Sequence, residues 1–209
     1  MVILPFAYEY LNLRFNPFGE IERPDRAALA VVDIDETVER LGRGGFAVQF
    51  LGDRGRGKTT HLLAIQASFP DAPYKHIAEG QRVTSLPQAP PGMPIFLDEL
   101  QRLPRKLRSR LFDGRRPLVL GTHRDYARHL ARAGYDVQTV CLARRLEPKT
   151  LAEILKRRIE HARRDSASPV PVVTDETIAD LLRRHGDHVR GMEHELYERF
   201  QDLKGFCHV

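Results

Sequence analysis

Residues 52–59 read GDRGRGKT and fulfil the pattern GxxxxGK(S/T) at every fixed position. The apolar run directly before the pattern predicts a buried strand over 46–51, and a helical pattern follows it. Because Gly52, Gly55 and Gly57 tolerate unusual backbone angles, the N–H groups of the loop can converge on one anion. The motif therefore predicts a phosphate-binding loop between a strand and a helix.

The phosphate-binding loop also predicts which groups hold a nucleotide. Lys58 places a cation on the β and γ phosphates, and the hydroxyl of Thr59 is a ligand for Mg²⁺. The dipole of the helix that starts there adds to the attraction. We expect nucleotide contacts from the loop and the first helical turn: Gly52, Asp53, Arg54, Gly55, Arg56, Gly57, Lys58, Thr59 and Thr60.

Two carboxylates follow a second buried strand, which the apolar residues 94–97 predict. In a parallel sheet Asp98 lies beside the phosphate-binding loop, where it assists Thr59 in holding Mg²⁺ through water. Glu99 points in a different direction and is placed to polarise a water for in-line attack on the γ phosphate. The pair favours hydrolysis of ATP over phosphoryl transfer to a small molecule.

Polar residues at two further places are candidates for sensing the nucleotide. A third buried strand over 117–121 ends in Thr122 and His123; Thr122 is the first candidate to sense the γ phosphate and His123 the second. The alternative is a polar strand end without a catalytic task. Arg190 stands at the start of the last predicted helix, where a cation opposes the helix dipole, and this favours a functional role over that of a solvated side chain.

Strand and helix patterns alternate along the chain up to about residue 146. Strands are predicted at 46–51, 74–77, 94–97, 117–121 and 137–142, and helices at 59–69, 103–112 and 125–133. This alternation indicates a parallel sheet with helices on both faces. Beyond it the patterns predict helices at 148–164, 174–184 and 188–203, with 169–173 as a further short strand.

The predicted fold class is therefore α/β, a three-layer sandwich of the P-loop NTPase type followed by a small helical lid. We expect an N-terminal segment at 1–23, an ATPase core at 24–146 and the lid at 147–209.

Basic residues concentrate in two segments, although the formal net charge of the chain is only +5. Residues 102–116 hold seven basic side chains against one acidic one, and residues 144–164 hold eight against three. Because the rest of the chain is net acidic, this distribution favours a polyanionic partner such as nucleic acid. Arg105, Lys106 and Arg108 are the candidate contacts; the alternative is that both segments are ordinary solvated helix faces.

The order of these motifs resembles that of the AAA+ ATPases. GDRGRGKT, IFLDE and LGTH are followed by a helical lid with GDHVR, and the similarity extends over nearly the whole chain. It is greatest to the branch that contains replication initiators, transposition regulators and secretion-associated ATPases. LRFNPFG at 13–19 is similar to a segment near the start of many members of that branch, and LAEILKRRIE at 151–160 is similar to their first lid helix.

The resemblance implies an ATP-dependent switch that works in a ring or filament. The positions that it assigns are Asn16, Pro17 and Phe18 near the adenine, Thr122 or His123 as sensor 1, and Arg190 as sensor 2. It leaves the arginine finger open among Arg124, Arg128, Arg132, Arg144 and Arg145.

The chain also departs from that family in two places. A proline-rich stretch at 84–92 stands where the second helix of the core is expected. We expect no winged helix or helix-turn-helix after the lid. We therefore expect nucleic acid to be contacted through core surfaces such as 102–116, or through a DNA-binding or effector protein.

Composition restricts the class of protein further. Apolar residues make up 42% and charged residues 29%, and no apolar run approaches the roughly 20 residues of a membrane-spanning helix. The first residues lack a basic region and a cleavage site, so we expect a cytoplasmic protein without a membrane partner. Cys141 and Cys207 are isolated in sequence, which predicts neither a disulfide framework nor a zinc site.

Two other functions stay open at this point. A nucleotide-gated adaptor would bind ATP tightly with little turnover. A P-loop kinase for small molecules would clamp phosphates with the basic segments, but the carboxylate pair at 98–99 and the NPF segment at 16–18 fit it poorly.

Overall fold

The computed structural model describes residues 8–142 and 146–203. Of these, 26–142 form one compact unit, here called the sheet unit. Residues 8–25 form a second compact unit together with 146–203, here called the helical unit. Arg144, Arg145 and Cys207 lie outside the described residues.

The sheet unit is built on five parallel strands. They are β1 (Phe46–Leu51), β2 (Tyr74–His76), β3 (Ile95–Asp98), β4 (Leu118–Thr122) and β5 (Asp136–Cys141). Their spatial order is β2-β3-β4-β1-β5. The carboxyl ends of β1, β3 and β4 meet at one edge, with Leu51 opposite Thr122 and Asp98 opposite Gly121. The predicted parallel α/β fold is confirmed.

Eight α-helices and two short 3₁₀ turns occur among the described residues. The helices are α1 (Arg23–Ala28), α2 (Asp35–Gly42), α3 (Lys58–Gln66), α4 (Arg105–Asp113), α5 (Ala127–Arg132), α6 (Pro148–Ala162), α7 (Asp175–His185) and α8 (Val189–Asp202). The 3₁₀ turns are Glu9–Leu11 and Leu100–Arg102. None of these helices is long and apolar enough to cross a bilayer.

Strand β1 is covered on both faces, as a central parallel strand must be. Phe46, Val48 and Phe50 belong to one apolar cluster of the sheet unit, and Ala47 belongs to the other. Gln49 breaks this apolar pattern, yet it has no exposed surface. The centre of the sheet therefore holds one buried amide whose hydrogen bonds must be found inside the protein.

The connection from β2 to β3 contains no helix, although parallel neighbours are usually joined by one. Residues 84–92 lie in its place without regular structure. Arg116 fastens this loop by donating hydrogen bonds to the carbonyl oxygens of Ala89 (2.5 Å) and Pro90 (3.3 Å). The sequence predicts a loop here in place of a helix, because prolines interrupt every helical pattern in the stretch.

The helical unit has a core of its own. Apolar stripes of α6, α7 and α8 form it, and Leu11, Leu13 and Phe18 of the N-terminal segment complete it. Helix α7 begins as the sequence predicts, with Thr174 as N-cap accepting a hydrogen bond from the N–H of Thr177 (3.2 Å). The N-terminal segment thus belongs to the hydrophobic core of the helical unit.

The structure differs from the expected elements in several places. Residues 169–173 do not form a strand, since Pro169 and Pro171 have no N–H to donate. Helices α1 and α2 had no counterpart among the predicted elements. Helix α3 ends at Gln66, before the end of the predicted range.

Candidate nucleotide site

The phosphate-binding loop joins β1 to α3 through a tight turn. Gly55 and Gly57 have φ angles of 82° and 84°, which residues with a Cβ rarely adopt. Gly57 is the N-cap of α3, so the free N–H groups of that helix's first turn continue the loop. At Gly52 a Cβ would lie 3.3 Å from the Cβ of Leu142, which leaves little room for a side chain. The sequence therefore folds here into a backbone cradle suited to an anion.

Lys58 is buried at the start of α3, with 5% of its side chain exposed. Its Nζ donates to the carbonyl oxygens of Gly52 (2.8 Å) and Asp53 (2.9 Å). The same atom lies 3.2 Å from Nε2 of His123 and 3.8 Å from Oε1 of Glu99. Burial lowers the pKa of Lys58, and the charge of Glu99 is the largest effect opposing that shift. The ammonium group is thus a poorly hydrated cation next to a carboxylate.

Asp98 ends β3 and is almost completely buried. Its Oδ2 accepts hydrogen bonds from the hydroxyls of Thr59 (2.7 Å) and Tyr74 (3.1 Å), and Nδ1 of His76 lies 3.4 Å away. Its Oδ1 is buried without a hydrogen-bond partner in the described part of the chain. Gly121 on β4 makes room for Oδ1, since a Cβ there would lie 2.5 Å from it.

The oxygen atoms around Asp98 fit a hydrated Mg²⁺ ion. Mg²⁺ prefers oxygen ligands, keeps several waters and is usually held by one or two carboxylates. A buried carboxylate oxygen without a partner is rare, because leaving it unpaired costs free energy. Oδ1 of Asp98 and the hydroxyl of Thr59 are therefore the groups on this edge of the sheet that could hold the ion or its waters.

Glu99 follows Asp98 with a φ of 67°, which is unusual for a residue with a side chain. Its carboxylate is only 12% exposed. Oε1 lies 3.3 Å from Nε2 of His123, while Oε2 accepts from Nε2 of Gln101 (2.7 Å) and lies 3.5 Å from Arg102. Strained backbone of this kind persists where surrounding contacts fix it, and Glu99 has several such contacts.

Gln101 and Arg102 belong to the site although sequence reasoning did not assign them to it. Gln101 bonds to Glu99 with its amide nitrogen, and its Oε1 accepts from the N–H of His123 (3.2 Å). Arg102 was counted with the basic surface segment, but it donates to the carbonyl oxygen of Ile77 (2.9 Å) and faces Glu99. The sequence signal that could have assigned them to the site is their position shortly after the carboxylate pair at 98–99.

The two sensor candidates on β4 have different surroundings. The hydroxyl of Thr122 is buried, accepts from the N–H of Arg124 (3.0 Å) and donates to its carbonyl oxygen (2.9 Å). His123 instead brings its ring to Lys58 and Glu99. The structure therefore joins His123, and not the side chain of Thr122, to the cluster of charged groups.

The candidates of the NPF segment, Asn16, Pro17 and Phe18, lie in the helical unit. The side chain of Asn16 accepts from the N–H of Phe18 (3.1 Å) and donates to the carbonyl oxygen of Tyr197 (3.0 Å). Buried Arg158 donates to the carbonyl oxygen of Pro17 (2.7 Å). These bonds fix the NPF segment against the lid helices.

Arg190 lies on a different helix of that unit. It stands in the first turn of α8 and is exposed. The N-cap of this helix is His188, whose Nδ1 accepts from the N–H of Gly191 (3.1 Å).

The basic segment at 102–116 divides between structural and exposed side chains. Arg105 and Lys106 are exposed on α4. Arg108 is half-buried, with its guanidinium 4.9 Å from the ring centre of Tyr126 and a hydrogen bond to the carbonyl oxygen of Leu103 (3.0 Å). The candidates for nucleic acid are thus not equivalent, because Arg108 already supports the packing of α4.

The arginine-finger candidates fall into two groups. Arg124, Arg128 and Arg132 are exposed on or near α5, whereas Arg144 and Arg145 lie outside the described residues. Among the described residues, no contact of Arg124, Arg128 or Arg132 identifies one of them as the arginine finger.

Comparisons with known proteins bear on the fold. A scan against models of protein families found no match, and a search among curated proteins found none either. Among solved structures, the chain is similar to the RuvB Holliday junction branch migration motor of Thermotoga maritima, with 18% identity and a TM-score of 0.55 over 81% of this chain. It is also similar to the replication initiator DnaA bound to AMPPCP and single-stranded DNA, with 17% identity and a TM-score of 0.53 over 90% of this chain.

Both structures are longer than the region that this chain matches. The chain spans 62% of the RuvB chain and 67% of the DnaA chain. RuvB and DnaA are AAA+ ATPases, and the five-stranded parallel sheet with its flanking and C-terminal helices matches theirs. The chain therefore has the fold of these two AAA+ ATPase structures.

Proposed function

We propose that this chain binds ATP with Mg²⁺ and hydrolyses it, acting as an oligomeric ATP-dependent switch on nucleic acid or on a partner bound to nucleic acid. One observation carries the proposal. Lys58, Thr59, Asp98, Glu99 and His123 converge at the carboxyl edge of the sheet, beside the glycine-rich loop. Together they supply a cation, ligands for a metal ion and a base, which are the groups that phosphoanhydride hydrolysis needs.

Each group of the cluster has a distinct task in this proposal. The loop N–H groups bind phosphate oxygens, and Lys58 turns from the carbonyls of Gly52 and Asp53 to the β and γ phosphates. Asp98 and Thr59 hold Mg²⁺, which neutralises negative charge on those phosphates when bound.

Glu99 orients the attacking water and accepts its proton. His123 lies within 3.3 Å of this carboxylate and 3.2 Å of Lys58, so it is placed to respond to the γ phosphate. We therefore assign the sensor 1 role to His123 and give Thr122 the task of fixing the strand end through Arg124.

Contact with nucleic acid is supported by charge and by the neighbours. One neighbour is described as a branch migration motor and the other as bound to single-stranded DNA. In this chain Arg105 and Lys106 present exposed cations on α4. Phosphate contacts of this kind give salt-dependent binding without reading sequence.

The roles of the NPF segment and of Arg190 rest on the family resemblance. In the proposal Asn16, Pro17 and Phe18 contact the adenine, and Arg190 acts as sensor 2. An arginine of a neighbouring copy completes the site in a ring or filament; the candidates are Arg124, Arg128, Arg132, Arg144 and Arg145. The switch works in the cytoplasm.

A nucleotide-gated adaptor is the second candidate function. It is favoured by the contacts of Glu99, whose carboxylate is held by Gln101, Arg102 and His123. A base held in this way would turn ATP over slowly, so that binding alone would set the state of the protein.

Steady-state ATP hydrolysis separates the two candidates. We expect Lys58→Ala and Glu99→Gln to lower kcat by roughly 100-fold or more, the range for losing a charge-stabilising group or a general base. Lys149→Ala and Glu198→Gln, at exposed positions of α6 and α8, are the matched controls and keep wild-type turnover. If wild type and Glu99→Gln release phosphate equally slowly while both bind ATP tightly, the adaptor is correct and hydrolysis is not the function.

A further inference from the structure

Gln49 lies in the middle of β1, between β4 and β5 in the sheet, and is fully buried. Its Nε2 donates to Oδ1 of Asp125 (2.6 Å) and to the hydroxyl oxygen of Thr139 on β5 (2.8 Å). Its Oε1 accepts from the backbone N–H of Tyr126 (2.9 Å). Both amide hydrogens and the carbonyl are thus used, so the buried group has no unpaired donor.

Stability alone does not explain an amide at this position. Ala47, on the same face of β1, and Leu120, opposite Gln49 on β4, belong to an apolar cluster. An apolar residue at position 49 would therefore avoid the cost of burying a polar group. Two of the three hydrogen bonds of Gln49 go to the segment between β4 and α5, at Asp125 and Tyr126. The amide therefore connects strand β1 to a surface loop.

That loop carries His123. Asp125 is also bonded by the N–H of Ala127 (2.7 Å), and this bond, followed by the one from Gln49, lowers the pKa of Asp125. An ionised Asp125 accepts both bonds at the same oxygen, which pins the loop at its junction with α5. His123 lies two residues before this anchor, and its own ring is placed against Lys58 and Glu99.

We propose that Gln49 is a positioning residue for the ATP site, holding the 122–126 loop so that His123 meets Lys58 and Glu99. Gln49 touches none of these three side chains and acts through Asp125 and Tyr126. The proposal rests on the proposed ATPase function for its kinetic consequence, but its structural consequence, the position of His123, does not depend on hydrolysis.

Two kinds of variant separate positioning from simple packing. Gln49→Leu removes all three bonds and puts an apolar side chain of similar size in place of the amide. Gln49→Glu alone sets a second carboxylate against Asp125. Gln49→Glu combined with Asp125→Asn reverses donor and acceptor, because the new amide nitrogen donates to the carboxylate at position 49 while the amide oxygen accepts from the N–H of Ala127. Thr139→Val is the matched control, because it removes a bond of Gln49 that does not lead to the loop.

The test combines ATP turnover with the NMR signals of the His123 ring, assigned by their loss in a His123→Asn variant. In Gln49→Leu and Gln49→Glu we expect kcat to fall roughly 10- to 100-fold with an almost unchanged KM for ATP, as for a misplaced catalytic group, and the ring signals to move. The double variant should recover the kcat and the signals, and Thr139→Val should keep both.

Ring signals that stay at their wild-type positions in Gln49→Leu would overturn the positioning role, whatever the turnover. The same holds if Gln49→Glu folds and leaves those signals at their wild-type positions. If Gln49→Leu does not fold, the comparison of Gln49→Glu with the double variant decides. If wild type shows no turnover at all, the proposed function fails and the ring signals alone decide the role of Gln49.

Discussion

Gly121 is the residue that most directly limits the geometry of the candidate metal site. It lies opposite Asp98 in the register of β3 and β4, where a Cβ would come within 2.5 Å of the carboxylate oxygen Oδ1. Glycine weakens a strand, because it loses more backbone entropy on folding than other residues do. Its presence in the buried strand β4 is therefore explained by the space that the carboxylate needs.

Gly121→Ala tests this explanation. The added methyl group would push the carboxylate of Asp98 away, so we expect the affinity for ATP in the presence of Mg²⁺ to fall roughly tenfold, equivalent to about 1.4 kcal/mol. Affinity in EDTA should change much less, because the phosphate-binding loop is untouched. Titration calorimetry with and without Mg²⁺ measures both values.

Gly42→Ala is the control for that comparison. A Cβ at Gly42 meets no atom within 4 Å, so this variant should bind ATP as wild type does under both conditions. Equal affinities of Gly121→Ala and wild type with Mg²⁺ would show that Asp98 does not hold the ion.

Helix α4 shows why a count of basic residues in the sequence does not locate the surface that contacts a polyanion. Its arginines look alike in sequence, but Arg108 packs against Tyr126, while Arg105 and Lys106 are exposed. Arg102 and Arg116, on either side of the helix, bond to the backbone of neighbouring segments. The surface available to a polyanion is thus smaller than the basic segment.

The Arg105→Ala, Lys106→Ala double variant tests this surface. If both cations contact phosphates, the slope of log affinity against log salt should become shallower by roughly 1.4 to 1.8, since each contact contributes about 0.7 to 0.9. Fluorescence anisotropy with labelled DNA over a salt series measures the slope. The Lys149→Ala, Lys156→Ala variant removes two exposed cations of α6 and should leave the slope unchanged. A slope equal to that of wild type in the α4 variant would contradict the assignment.

The N-cap of α7 gives a prediction about stability. Thr174 accepts the hydrogen bond of the Thr177 N–H, which would otherwise lose its partner at the helix start. We expect Thr174→Ala to lower the free energy of unfolding by about 1 kcal/mol in urea denaturation. Thr84→Ala, in the exposed loop between β2 and β3, is the control; equal loss in both variants would argue against capping.

At the scale of the whole molecule, local patterns predicted much of the architecture. The apolar runs that became β1, β3 and β4 were recognisable because strands buried on both faces contain few polar residues. Glycines and prolines located the phosphate-binding loop and the irregular stretch at 84–92 because these residues act through their own backbone angles.

Contacts between distant segments could not be predicted in the same way. Gln49 and Asp125 are far apart in the chain, and only the order of strands brings the β4–α5 loop over β1. The roles of Gln101 and Arg102 likewise depend on the left-handed backbone conformation of Glu99, and no pattern in the sequence predicts that conformation. Sequence therefore located the candidate site, and the fold determined which side chains meet there.

The proposed switch requires that ATP changes the assembly of this chain, and light scattering of the Glu99→Gln variant measures that change. This variant keeps Lys58, Thr59 and Asp98 for binding, so ATP should hold it in the ATP-bound state. We predict that its molar mass with ATP and Mg²⁺ exceeds that of a single chain, rises further with DNA, and returns to the smaller value with ADP. The mass of a single chain under every one of these conditions would contradict the account.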